Sequence, residues 1–173
     1  LGLGMDRLSL HSSWLAVGVL TIVVGVKLLA DKEGWFQLHS NGRSVAAAEH
    51  QMFASVENEI ELIGFNSVVG KVVPGGHIEV VLYWRAELEP TRNYQVYVHL
   101  LDENGYLWGQ SDKVNPASFP TTRWSTDKYV RDEHTLMVDV DAPTGEYGLF
   151  VGLWDHMTGE RFLAFDERKW LLG

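Results

Sequence analysis

The chain has 173 residues, 46% of them hydrophobic, no cysteine and a formal charge of -9, which is room for one ordinary domain plus an appendage, with enough apolar material for a packed core. The lack of cysteine excludes disulfide staples, thiolate zinc sites and cysteine nucleophiles. From Glu59 onward 10 Lys and Arg stand against 18 Asp and Glu, a balance of -8 without any basic stripe, so nucleic acid is not expected as a partner.

Leu8 to Val26 runs 19 residues without a formal charge if His11 is neutral, about the length a helix needs to cross a hydrocarbon core. Trp14 at one end and Trp35-Phe36 beyond the other stand where interfacial anchors would. Three readings compete: a buried core helix, a cleaved signal peptide and a retained single-pass anchor. The run is apolar all round, and Leu28-Leu29-Ala30 is a poor small-x-small cleavage site, so residues 1–30 are assigned as a transmembrane anchor. Gly18, Thr21 and Gly25 fall on one side of that helix and would let another membrane helix approach closely, although glycine is also simply frequent in such helices. Arg7 and Asp6 flank one end, and Lys27, Asp31, Lys32 and Glu33 the other, so the charge rule sets no orientation.

Residues 31–58 read as a connector. Ser40-Asn-Gly-Arg43 is a turn signal, and Val45, Ala48, Met52 and Val56 recur at helical spacing around Ala46-Ala-Ala48, which predicts a short helix packed on its own domain.

From Glu59 the pattern changes to short alternating runs parted by turn residues, as in an antiparallel sandwich. Ile60–Phe65 and Val68–Val73 are the first candidate strands, the latter closed by Pro74-Gly75-Gly76. Ile78, Val80, Leu82 and Trp84 alternate with polar or amphipathic neighbours, and Val96, Val98 and Leu100 do likewise; joined through Glu87–Asn93, these two stretches read as a central hairpin. Leu107–Ser111 follows the Asp102–Gly105 turn, and a long loop from Asp112 to Asp127 carries Pro116, Pro120 and Trp124. Tyr129–Val138, Glu146–Trp154 and Arg161–Phe165 are further strands, with Trp170–Leu172 a weaker one. The expected fold of 59–173 is an all-β, immunoglobulin-like antiparallel sandwich of seven to nine strands behind one transmembrane helix.

Pro74-Gly-Gly76, Leu82-Tyr-Trp-Arg-Ala86, Val96–Asp102, Phe119–Trp124 with Val130-Arg-Asp132, and Ala142–Tyr147 with Val151–Asp155 and Thr158-Gly-Glu160 occur in that order. This succession resembles the β-sandwich domain that follows the last transmembrane helix in membrane glycosyltransferase-like proteins of Chloroflexota and related bacteria. The resemblance covers roughly residues 60–165 and implies a sandwich on the periplasmic or extracellular side of a bacterial cell membrane. It carries no transferase activity across, because those proteins have many spans and hold their catalytic acids in membrane-proximal loops that nothing here matches.

Most of the motif residues have structural work available to them. Tyr147 is placed to act as a corner residue with its hydroxyl on nearby backbone, and Arg131-Asp132 to tie the long loop down by a charge-assisted hydrogen bond. Asp102-Glu-Asn-Gly105 and Asp139-Val-Asp141 offer calcium-type oxygens but lack EF-hand spacing, so solvated turns are the plainer reading. The histidines are scattered; His99 and His134 are the pair that could meet across strands. No HExxH, GxSxG, P-loop or GxGxxG is present. No metal, cofactor or catalytic set is expected. Trp108, Phe119, Arg123, Trp124 and Tyr129 cluster around the long loop, fit for capping the sandwich, docking a partner or stacking on sugar. The expected function is a non-enzymatic accessory or docking subunit of a larger membrane complex, respiratory or photosynthetic for instance; the alternative is an envelope-tethered carbohydrate-binding module beside a glycosyltransferase.

Overall fold

The computed structural model describes residues 6–32, 38–39, 44–67, 72–162, 164–166 and 171–172, with side chains for 14–29, 44–67 and 72–162. The chain divides into two compact units, Leu1–Phe36 and Gln37–Gly173. Helix α1 of the first unit runs from Asp6 to Lys32. Its described side chains are exposed, apart from the half-buried Gly25. Among the described residues no helix is long and apolar enough to cross a membrane.

The second unit is an all-β sandwich. Its strands, in chain order, are β1 (Leu38–His39), β2 (His50–Val56), β3 (Ile60–Ser67), β4 (His77–Ala86), β5 (Gln95–Asp102), β6 (Leu107–Lys113), β7 (Lys128–Met137), β8 (Tyr147–Trp154), β9 (Arg161–Phe162), β10 (Ala164–Asp166) and β11 (Leu171–Leu172). Among the described residues eight of these have three or more residues, within the expected seven to nine. They form two antiparallel sheets, ordered β1-β7-β4-β3-β2-β10-β11 and β6-β5-β8-β9.

The expected hairpin of 77–105 is not one. β4 pairs with β3 and β7 and lies inside the larger sheet, whereas β5 pairs with β6 and β8 and lies inside the smaller one. Their apolar faces meet as read: Ile78, Val80, Leu82, Trp84 and Ala86 of β4 and Val96, Val98 and Leu100 of β5 share the common core, although Gln95, Tyr97 and His99 on the other face of β5 are buried too. Each strand has one strongly apolar face, and facing them across the sandwich buries both, which pairing them edge to edge would not. The link between them is tied to the β2–β3 turn: Glu59 accepts from the Thr91 amide at 3.1 Å, the Thr91 hydroxyl at 2.8 Å and the Tyr94 hydroxyl at 2.8 Å.

The expected helix within 44–56 is strand β2 and a lead-in segment. Ala54 and Val56 enter the core opposite Leu62 and Ile60, so pairing with β3 outweighs a modest helix propensity. Residues 44–49 instead lie against the outer face of the larger sheet, where Val45 packs with Ile63 and Tyr83 in a second small core. Asn66 fastens this segment, accepting from the Glu49 amide at 2.7 Å and donating to the Ala47 carbonyl at 3.0 Å. Gly64 is required here, because a Cβ on it would stand 2.7 Å from the Ala48 Cβ and 2.8 Å from the His50 carbonyl oxygen. Residues 31–58 are therefore not a free connector: β1 and β2 belong to the sheet.

Arg161–Phe165, read as one strand, divides between the sheets as β9 and β10. Most of the Val68–Val73 candidate, Trp35-Phe36, Ser40–Arg43 and Trp170 lie outside the described residues. Tyr147 does stand at a corner, its ring against the core and its hydroxyl donating to the Pro143 carbonyl.

Trp84 is fully buried at the centre of the larger sheet. Trp84→Ala is expected to lower the stability of the sandwich by about 3–5 kcal/mol, read as a lower denaturant midpoint; a loss below ~1 kcal/mol would contradict its place in the core.

Candidate functional site

The aromatic residues singled out around the long loop separate into two groups. Phe119 and Trp124 are 2% and 3% exposed and belong to the core. The loop places them there through two short 3-10 turns, Pro116–Ser118 and Thr121–Arg123. The Trp124 indole N–H donates to the Phe119 carbonyl at 3.1 Å. Thr121 joins the loop to the β4–β5 link, donating to the Arg92 carbonyl at 2.9 Å and accepting from the Tyr94 amide at 3.0 Å. Neither ring is available to stack on a sugar or a partner; both cap the end of the sandwich. Arg123 is exposed. Tyr129 is half-buried and packs on the outer core beside Tyr83, ring centroids 6.1 Å apart.

Trp108 stays partly open. It lines a shallow groove of about 580 Å³ with Leu107, Gln110, Met137, Asp139 and Val140, and its indole N–H donates to Asp102 Oδ2 at 3.1 Å. Asp102 Oδ1 also accepts from the Asn104 and Tyr106 amides, each at 2.9 Å. Burial would push the Asp102 pKa up, but these donors outweigh it and hold the carboxyl below its usual range. Its oxygens are thus occupied by N–H groups, as in an ordinary Asx turn. Among the described residues no group of three or more His, Cys, Asp and Glu is placed to hold a metal ion.

On α1, Gly18 and Gly25 would each have open space around an added Cβ, and Thr21 donates to the Val17 carbonyl at 2.9 Å. Among the described residues, nothing stands within 4 Å of a Cβ added at Gly18 or Gly25.

The most elaborate polar arrangement lies inside the sandwich. Asp132 and His134 sit at inward positions of β7, between the core residues Val130 and Leu136, and neither side chain has any solvent exposure. Asp132 Oδ1 accepts from Lys113 Nζ at 2.9 Å and the Ala117 amide at 2.7 Å. Asp132 Oδ2 accepts from His134 Nε2 at 2.8 Å, and His134 Nδ1 lies 3.1 Å from Ser111 Oγ and 3.2 Å from the Ser111 carbonyl oxygen. Asp132 therefore does tie down the long loop, as read. Arg131 does not share in this; it is exposed and pairs with Glu133. His99 and His134 do not meet: His99 is on the outer face of the smaller sheet, 3.1 Å from Asp112.

The order Ser111–His134–Asp132 has the connectivity of a nucleophile relay. What it lacks is access, since a substrate cannot touch a histidine with no exposed surface. Its chemistry is that of a fastener joining β6, β7 and the loop. Burial would push the Asp132 pKa up, but hydrogen bonds from His134, Lys113 and Ala117 and the charge of His134 outweigh it, leaving the carboxyl below its ordinary range. The signal available in the sequence was two polar residues at consecutive inward positions of an otherwise apolar face.

A carboxyl whose folded pKa is depressed adds stability above its unfolded pKa and loses it as pH falls through the folded one. The sandwich is therefore expected to weaken from about pH 4 downward, near the ordinary Asp value, with Glu59 contributing in the same direction: burial raises its pKa, but its bonds to Thr91 and Tyr94 lower it further. Asp132→Asn is expected to cost about 3–5 kcal/mol at neutral pH and to flatten that acid limb. Thermal unfolding of both proteins between pH 3 and 7 checks this; equal acid limbs would contradict it.

No protein-family model matches the chain, and neither a characterised protein nor a solved structure matches it.

Proposed function

We propose that the chain is a single-pass membrane protein whose immunoglobulin-like sandwich stands on the periplasmic or extracellular side and serves as a non-enzymatic accessory or docking subunit of a larger membrane complex. The observation that carries this reading is α1: Leu15, Val19, Leu20, Ile22, Val23 and Leu28 are all more than half exposed, on every side of one helix. A helix apolar on all sides does not suit water and seeks either lipid or protein. In sequence its uncharged run extends from Leu8 to Val26, which supports a span of the hydrocarbon core.

The immunoglobulin-like assignment is supported by the corner made by Tyr147 and Pro143 ahead of β8, and by the succession of blocks that resembles the sandwich of membrane glycosyltransferase-like proteins. The docking role is supported by where the polar residues went. Asp132, His134, Asp102 and Glu59 are engaged within the fold, and α1 retains an open small-residue side that a second membrane helix could meet.

Produced whole in bacterial cells, the chain is expected in the membrane fraction, resistant to an alkaline carbonate wash and released by detergent. Val19→Arg with Val23→Arg, at about 2.5–3.5 kcal/mol against insertion for each charge, is expected to move it to the wash. Recovery of the unaltered chain in the wash would overturn the anchor. Isolation from native membranes in mild detergent as a lone monomer every time would overturn the docking role.

A further inference from the structure

Among the described residues, nine large apolar side chains of the sandwich are exposed. Six of them, Val72, Val73, Tyr106, Leu107, Met137 and Val140, fall on three segments that are bonded to one another. The Gly75 amide donates to the Val138 carbonyl at 3.1 Å, the Val138 amide to the Gly76 carbonyl at 2.9 Å, and the Asp139 amide to the Trp108 carbonyl at 2.8 Å. Val140 lies against the first of these turns, its Cγ1 3.3 Å from where a Cβ on Gly75 would stand. The remaining three, Leu88, Val114 and Met157, stand singly in the chain, which is ordinary for a protein surface.

The cluster surrounds the groove of about 580 Å³ that Leu107, Met137 and Val140 line together with the half-buried Trp108. β6 and the end of β7 meet there at Gly109, where a Cβ would stand 2.9 Å from the Met137 carbonyl oxygen, so no larger residue permits the approach. Around the groove the charge has one sign. Residues 72–76, 102–110 and 137–147 hold Asp102, Glu103, Asp139, Asp141 and Glu146 but no Lys, Arg or His. His77 borders these segments, and Lys71 lies outside the described residues.

We propose that this groove docks a basic, apolar segment of a partner protein, its apolar side chains on Leu107, Trp108, Met137 and Val140 and its Lys or Arg side chains on the surrounding carboxylates. Such docking presupposes the accessory role proposed above and gives the sandwich's part in it a place. Exposed apolar groups gathered together and rimmed by polar ones mark an interface, and here the rim selects the occupant. A second copy meeting the groove through the same face would bring the same five acids against it, and like charges in juxtaposition oppose association. An anionic leaflet and a nucleic acid are repelled for the same reason. A cationic segment is attracted by the rim, and its apolar side chains then remove the groove from water.

The test replaces Val140 of the full chain by a photoreactive benzoylphenylalanine in the membranes of the cells that make it naturally, with Met157, exposed away from the groove, as the control position. Cross-linked peptides are sequenced by mass spectrometry. Position 140 is expected to cross-link to a segment of another protein that is apolar and carries net positive charge, and position 157 is not. Glu103→Lys with Asp141→Lys is expected to lower the yield about ten-fold, equivalent to ~1.4 kcal/mol. The matched reversal Glu57→Lys with Glu89→Lys, at exposed positions by the far end of β4, is expected to leave it unchanged. Cross-links only to lipid or to a second copy, a neutral or acidic partner segment, or a yield indifferent to the reversal at 103 and 141 would overturn the proposal. A chain isolated in a complex without any cross-link from position 140 would overturn the groove and leave the docking role standing; a chain isolated alone would overturn both.

Discussion

Asp132 is a carboxylate with no solvent exposure, enclosed in a sandwich whose other inward positions are almost all apolar. Such a charge is tolerated only when its lone pairs are filled, and three donors from three places fill them: Lys113 from the edge of the smaller sheet, His134 from its own strand, and the Ala117 amide from the long loop. The loop's path follows from that demand. Ala117 and Ser118 take left-handed backbone angles, φ of 51° and 59°, which residues other than glycine adopt at some cost. Held in that turn, the loop drops Phe119 and Trp124 into the end of the core, and Thr121 then fixes the β4–β5 link. One buried charge thus relates β6, β7, the loop and the crossover between sheets.

This engagement bears on function. The residues with the most reactive chemistry, Asp132, His134, Tyr94 and Glu59, all bond to the fold itself, and burial together with the Glu59 carboxylate pushes the Tyr94 hydroxyl far above its usual pKa. What the molecule offers outward is of another kind: in one unit, a helix with apolar side chains exposed on every side. Such a surface is one by which a molecule is held, and the anchoring reading rests on it.

Much of the sandwich was legible in the sequence wherever one face was apolar and the other was not. β7 and the first half of β4 follow their period-two patterns closely, because burial on one side dictates it, whereas β5 is buried on both faces from Gln95 to Leu100. The roles of Tyr147 and Asp132 were also legible, since a tyrosine at a corner and an aspartate at a strand start have few alternatives. The partner of each strand was not legible. Pro90 and Asn93 suit a tight turn and a crossover equally, and only the need to bury two apolar faces against each other separates the two. Residues 44–56 misled for a related reason: Ala46-Ala-Ala48 favours helix locally, whereas β2 owes its form to β3. For the loop aromatics, capping, docking and stacking were all open in the sequence; Phe119 and Trp124 prove to be caps, and what turns them inward is the Asp132 clamp on the strand that follows the loop. The alternation of Gly148, Phe150, Gly152 and Trp154 is visible in the sequence, but not that the Tyr97 phenol packs over Gly152, where a Cβ would stand 2.1 Å from its hydroxyl.

The central claim is that Asp132 is a fastener on which the loop and the end of the core depend. Amide hydrogen exchange on the unaltered chain and on Asp132→Asn tests it most directly. The account predicts that protection at Ala117, Phe119, Thr121 and Trp124 collapses in the variant while β3 and β4 stay protected, because their pairing does not pass through the clamp. Unchanged protection in the loop would contradict it, as would uniform loss across both sheets.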